Sequence, residues 1–131
     1  MTTYDEIWET FLNNCKVSDI DLPNDDMGIY RQIKNAVMLF NNRMRTKFTC
    51  DDTDEKVSEA LSEDYLLIVA NYIRLVFLTN EKTYIESLWQ PFSKDVGLKN
   101  FNTQIKSLET SVREQKDTIN SLIMNAEEDF L

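Results

Sequence analysis

Apolar and polar positions alternate with helical periods along most of the chain. Tyr4, Ile7, Trp8, Phe11, Leu12 and Cys15 recur at spacings of three, one, three, one and three, which is one apolar stripe on a 3.6-residue period. A first helix over residues 4–15 is predicted. Thr3 precedes Glu6 by three positions, the spacing of a capping box. Residues 16–27, with Ser18, Asp19, Asp21, Pro23 and Asn24, predict a loop. Ile29, Ile33, Ala36, Val37, Phe40 and Met44 then form a second stripe. It predicts a helix over 26–45, with Asp25 or Asp26 capping its N-terminus, where a carboxylate also meets the helix dipole favourably. Residues 46–53 read as a connector with a short extended stretch at 47–50, followed by a helical turn over 54–61.

Of residues 65–78, only Asn71 and Arg74 are not apolar. A third helix over 62–79 is predicted. A helix apolar on nearly all sides is surrounded by protein, and in so short a chain part of this surface is expected to be covered by another subunit. Asn80 is placed to cap a fourth helix over 81–90, with Tyr84, Ile85, Leu88 and Trp89 inward and Pro91 ending it. Residues 91–97 read as a second loop. Leu98, Phe101, Ile105, Leu108, Val112, Gln115, Ile119, Leu122 and Ala126 step alternately by three and four. This is a heptad a/d series interrupted only by Gln115, predicting one long helix over 98–126. Residues 127–131 form an acidic tail with an apolar end. The expected fold is all-α, one domain over 1–131: a small bundle of four to five helices (1–97) and a long heptad-patterned C-terminal helix with its tail (98–131).

Composition narrows this further. Two glycines and two prolines in 131 residues disfavour a turn-rich sandwich or barrel. A hydrophobic content of 42% suffices for one core. The net charge is −9, but residues 27–49 hold five bases and no acid, so the remainder carries −14. Those bases are Arg31, Lys34, Arg43, Arg45 and Lys47. Some stabilise a helix C-terminus, at ~0.3–1 kcal/mol each. Clustered on an acidic chain, they are also interface candidates, for an acidic surface of another copy or for DNA. Phe101, Ile105, Leu108, Val112, Ile119 and Leu122 are the interface candidates of the C-terminal helix, against a neighbouring helix or chain.

Candidate chemistry is sparse. There is no histidine, so imidazole catalysis and His-ligated metals are excluded. Gly28 and Gly97 cannot form a phosphate loop. Asp51, Asp52, Asp54 and Glu55 lack the glycine and terminal glutamate of an EF-hand and read as a solvated connector. Cys15 and Cys50 lack a CxxC motif; Cys15 lies on an apolar face and is expected as a buried free thiol, although sequence leaves a disulfide open. The N-terminus is acidic rather than a basic signal-peptide region, and the 14-residue run at 65–78 is too short for a bilayer core of ~30 Å. No enzymatic activity, cofactor, metal or membrane contact is expected. Tyr30, Phe40 and Phe48 interleave with the bases, yet no helix-turn-helix, zinc-finger or RNA-binding signature accompanies them. Only non-specific DNA contact fits.

The arrangement resembles the head-to-tail connector (adaptor or head-completion) proteins of tailed bacteriophages. The resemblance covers roughly residues 26–90. It rests on the amphipathic helix IYRQIKNAVMLFNNRM, the acidic connector CDDTDEKVSEALSEDY and the Leu-rich helix LLIVANYIRLVFL after a short N-terminal helix, followed by a medium-length and a C-terminal helix. It implies a non-enzymatic helical protein, made in the host cytoplasm and placed in the virion neck or tail. Identical subunits would assemble as a ring, commonly twelve-fold, between the portal protein and a downstream neck or tail protein. The ring would extend the DNA channel. Opposite charges within one chain suit heterologous contacts between identical subunits, which close into rings when the rotation allows. The alternative is a small intracellular regulatory or chaperone-like bundle dimerising through residues 98–126. A weaker one is a nucleic-acid-binding module using residues 31–47.

Overall fold

A computed structural model describes residues 1–15, 22–92 and 98–128, apart from the side chains of 88–92, 98–102 and 127–128. The described elements are α1 (Tyr4–Asn14), α2 (Asp26–Met44), β1 (Cys50–Asp51), β2 (Lys56–Val57), α3 (Glu63–Phe92) and α4 (Leu98–Glu128). The fold is the expected small all-α bundle, with a minimal two-stranded hairpin added.

The first two helices begin where their caps dictate. The Thr3 hydroxyl accepts from the Glu6 amide, and the Asp25 carboxylate accepts from the Gly28 amide. These are N-terminal amides with no partner inside the helix. Gly28 is tightly enclosed: a methyl there would lie 2.7 Å from Pro23 Cβ and 2.8 Å from the capping Asp25 oxygen. α2 ends at Arg45, whose left-handed φ of 57° terminates the helix. Asn41 then ties the exit together, accepting from the Thr46 hydroxyl and the Phe48 amide while donating to the Phe48 carbonyl.

Two sequence expectations are corrected here. Residues 54–61 form no helical turn. Asp51 folds back to accept from the Thr53 and Asp54 amides, Glu55 adopts φ 54°, and the chain reverses into β2. The extended stretch expected at 47–50 lies at Cys50–Asp51, pairing Cys50 with Val57. The N-terminus holds this hairpin: Val57 and Tyr4 donate amide hydrogen bonds to the Thr2 and Glu55 carbonyls, both at 2.8 Å. The Thr2 hydroxyl accepts from the Leu61 amide at 2.7 Å.

The expected third and fourth helices are one, the 30-residue α3. Asn80 caps nothing, because the helix passes through it. No glycine or proline interrupts residues 63–90, and the Thr79 and Thr83 hydroxyls donate to the carbonyls four residues back, Leu75 and Thr79. Pro91 lies in the last turn rather than beyond it. Tyr84, expected inward, is 62% exposed. Parts of the loops expected at 16–27 and 91–97, the tail beyond Glu128, and the packing of Leu88 and Trp89 lie outside the described residues.

α3 is the central element. α1, α2 and α4 each lie against it, and residues 68–73 are all buried. The centre of the apolar run is thus covered within one chain, while residues 65–67 and 74–77 at its flanks stay half-buried. A short chain buries these central turns because three helices pack against α3. Phe11 stacks on Phe77 with ring centroids 5.7 Å apart, and Phe40 meets Tyr65 edge-on at 5.0 Å. One continuous core joins Ile7 and Phe11 of α1, Ile33 and Phe40 of α2, Val57 of β2, Ile68 and Ile73 of α3, and Ile119, Ile123 and Ala126 of α4.

Candidate interaction surfaces

The five bases singled out by charge are all exposed. They do not form one patch. Arg31 and Lys34 fall on one strip of α2 together with Met27, Met38 and Asn42, at steps of four, three, four and four residues, while Arg45 is the left-handed cap beyond the helix. Met27 and Met38 are 67% and 61% exposed. Arg43 lies round the helix, its charge felt by Tyr72. Lys47 belongs to the segment leaving α2.

Lys34 has a partner inside its own chain. Its ammonium donates to Asp52 Oδ2 at 2.8 Å, while Tyr4 Oη donates to Asp52 Oδ1 at 2.8 Å. One carboxylate therefore joins α1, α2 and the hairpin. The lysine and tyrosine hydrogen bonds hold the Asp52 carboxyl below its ordinary range. Burial, and then the hydrogen bond to Asp52, push the Tyr4 phenol up. Burial likewise raises the Cys50 thiol and pushes Cys15 up to about 11. Both cysteines are free, and the Cys15 thiol lies 3.7 Å from the Ala70 carbonyl oxygen. Thiols held protonated are poor nucleophiles.

The α4 residues expected as an interface form an intrachain seam. Ile119 is buried against the core and Ile105, Leu108, Val112 and Leu122 are half-buried; the side chain of Phe101 lies outside the described residues. Gln104, Ser107 and Leu108 lie across from Glu81 and Ile85, so α4 runs back along α3. Towards its C-terminus the buried line follows Gln115, Ile119, Ile123 and Ala126 rather than Leu122, the drift a straight 3.6-residue helix shows against a seven-residue repeat.

Sequence reasoning treated Gln115 as an interruption. It is 3% exposed and is the hub of the α3–α4 contact. Its amide nitrogen donates to Asn71 Oδ1 at 2.7 Å and to the Asn71 carbonyl at 3.1 Å. Its oxygen accepts from the Arg74 guanidinium. The signal was present: the two polar residues of the apolar run and the one polar heptad position are the groups that meet. Also missed were the exposed apolar residues Met27, Met38 and Leu12. Leu12, assigned by spacing to the buried stripe, is 48% exposed, because it sits on the flank of that stripe.

Among the described residues no group of three or more potential ligands is arranged to hold a metal, and no helix is long and apolar enough to cross a membrane. A shallow cleft between α2 and α3 is lined by Gln32, Phe77, Asn80, Glu81 and Tyr84. Gln32 Oε1 is the one buried side-chain acceptor without a partner among the described residues.

The molecule is thus a small all-α bundle whose distinctive surface features are a cationic, methionine-bearing strip and an acidic remainder. A family model described as "YomZ prophage protein" matches residues 1–128. The chain is 54% identical over 131 residues to the SPbeta prophage-derived uncharacterized protein YomZ of Bacillus subtilis (strain 168), covering 100% of both chains. It belongs to this prophage protein family. No solved structure matches it.

Proposed function

We propose that this protein is a non-enzymatic structural component of a phage particle, a head-to-tail connector. Made in the host cytoplasm, it would enter the neck as a ring between the portal and a downstream neck or tail protein, extending the DNA channel. The observation that carries this reading is the exposed cationic strip of α2 on a chain of net charge −9. Exposed ion pairs contribute little to the stability of an isolated domain, ~0–1 kcal/mol each. Bases clustered in one exposed stretch of an acidic chain act instead on a second surface, through steering and register. Membership of a prophage family supports the phage setting. The regulatory-dimer alternative is weakened by α4, whose Gln115, Ile119 and Ile123 are already buried in its own chain.

The test is deletion of the gene from an inducible prophage, with mass spectrometry of purified wild-type particles. The expected result is this protein in the particles, and separate filled or emptied heads and free tails without it. Joined, infectious particles from the deletion strain would overturn the connector reading.

A further inference from the structure

The cationic strip of α2 has a counterpart on α1. Asp5, Glu9 and Leu12 follow one another at steps of four and three residues, so they form one strip along the helix. All three are exposed, as is the neighbouring Glu6. This strip is acidic with an apolar end, whereas Met27, Arg31, Lys34 and Met38 form a basic strip bearing two apolar side chains. Three of the six large hydrophobic side chains that stand exposed among the described residues, Leu12, Met27 and Met38, lie on these two strips. Among the described residues no ion pair joins the two strips within one chain. The intrachain ion pairs of the described residues, Lys34–Asp52, Lys56–Asp54 and Lys82–Glu86, use none of Asp5, Glu6, Glu9, Arg31 or Arg45.

We propose that the α1 strip of one copy docks on the α2 strip of the next copy, with Asp5 and Glu9 facing Arg31 and Lys34 and Leu12 packing on Met38, since both trios span seven residues of helix. The occupant is a second copy because both complementary halves are carried by the same chain. The contact is heterologous: each copy uses its α1 strip towards one neighbour and its α2 strip towards the other. Such a contact propagates around a ring or along a filament rather than stopping at a dimer. Strips of like charge cannot pair with themselves, so symmetric α1–α1 and α2–α2 dimers are disfavoured. The methionine side chains adapt to an irregular partner surface. The Lys34 ammonium gives one of its three N–H groups to Asp52 and stays partly exposed, so it also faces the acids of the neighbour. This inference deepens the assembly reading and rests on it for the closure of the ring; it adds the two faces that touch and their polarity.

The experiment uses two charge-reversed full-length chains, one with D5K and E9K, the other with R31E and K34E. Circular dichroism first checks that each keeps the helical content of the wild type. Sedimentation velocity then measures self-association over a concentration series at low and high salt. Wild type is expected to associate, and to do so less at 1 M than at 0.1 M salt, as the Debye length falls from ~10 Å to ~3 Å. Each reversed chain alone should lose association by about tenfold or more, because like strips then face each other. Mixing the two reversed chains should restore it, since each then supplies the strip that the other lacks. Should either variant unfold, zero-length carbodiimide cross-linking of mixed isotope-labelled and unlabelled wild type replaces it. A Lys34 cross-link to Glu9 or Asp5 of another copy is then expected. A wild type that stays monomeric, reversed chains that associate as wild type, a mixture that does not recover, or the lack of interchain α1–α2 cross-links overturns the proposal. The deletion experiment on particles is independent of all four outcomes, so a connector that uses other faces is distinguished from a chain that is not a connector.

Discussion

The first and second halves of α3 belong to one uninterrupted helix, yet they live in different surroundings. Residues 68–73 are buried all round, under α1, α2 and α4. No described residue from 79 to 87 is buried; Tyr84 is 62% exposed and Lys82 pairs with Glu86 at 3.1 Å along the helix surface. The comparison teaches that helix continuity and helix burial have separate causes. Continuity comes from the lack of a glycine or proline between residues 63 and 90. Burial comes from how many other helices reach that turn. The first half is held by the core; the second is held by α4 along one flank and by its own helical bonds.

The largest effect should come from cavities in the first half. Ile73→Ala removes a side chain with no exposed surface and is expected to cost about 2–5 kcal/mol, as buried Leu or Ile truncations do. Ile85→Ala, at a half-buried position in the second half, should cost no more than about 1 kcal/mol. Urea unfolding followed by circular dichroism measures both. Equal losses would show that the second half is as tightly enclosed as the first.

Next is the polar hub where the two long helices meet. Gln115→Ala leaves the Asn71 side-chain oxygen without the Gln115 donor and takes one acceptor from the Arg74 guanidinium, at a site only 3% exposed. Unpaired buried polar groups cost about 1–3 kcal/mol. Gln115→Leu fills the volume but strands the same groups, so it should not rescue. Stability equal to wild type in either variant would mean that the hub contributes nothing beyond packing.

How far this contrast was legible from the sequence depended on how local the deciding contacts are. The starts of α1 and α2 follow from Thr3 and Asp25, whose partners are three residues away, and spacing alone located them. The apolar run at 65–78 announced its burial, but not that α4 would return along it; that depends on Gln115 meeting Asn71 across 44 positions. Asn80 misled because its residue type favours caps, while nothing in its neighbourhood ends a helix. The hairpin was missed because its two-residue strands lean on Thr2 and Thr3, far off in sequence. The charged surface was easier: a run of five bases without an acid is visible in the sequence, and all five are exposed. Which of them is tied down was not visible, since the Lys34–Asp52 pair exists only through the turn that presents Asp52.

A smaller effect tests the burial of the first half chemically. Cys15 sits against Ala70, and burial holds its thiol at about 11. The folded protein therefore keeps this proton to higher pH than the unfolded chain, whose solvated thiol ionises near 9.0. Above pH 9 the unfolded state binds fewer protons, so stability falls as pH rises, and this contribution is lost by about pH 11. The expected loss is about 1 kcal/mol after allowance for solvent screening. Urea midpoints of wild type and Cys15→Ser across that window isolate it from tyrosine and lysine titration. In the native state at pH 8, iodoacetamide should label Cys15 far more slowly than in urea. Rapid native labelling would place the thiol at the surface and weaken the account of a fully enclosed first half.

The smallest effect is expected in the second half itself. Tyr84→Ala removes a large aromatic ring, but from a position 62% exposed beside the shallow α2–α3 cleft. Surface substitutions away from special features usually stay within about 0.5 kcal/mol, and the alanine gains in helix propensity over tyrosine. The two contributions oppose each other, so the urea midpoint should barely move. Amide hydrogen exchange gives the same comparison without mutation. Amides of residues 68–73 should exchange only through global unfolding, while those of 79–87 open locally, because a helix with few buried contacts has a lower local opening free energy. If Tyr84→Ala lost more than about 1 kcal/mol, or if the two stretches were equally protected, the second half would be enclosed by more than α4, and the ring would have an anchoring role that its exposure argues against.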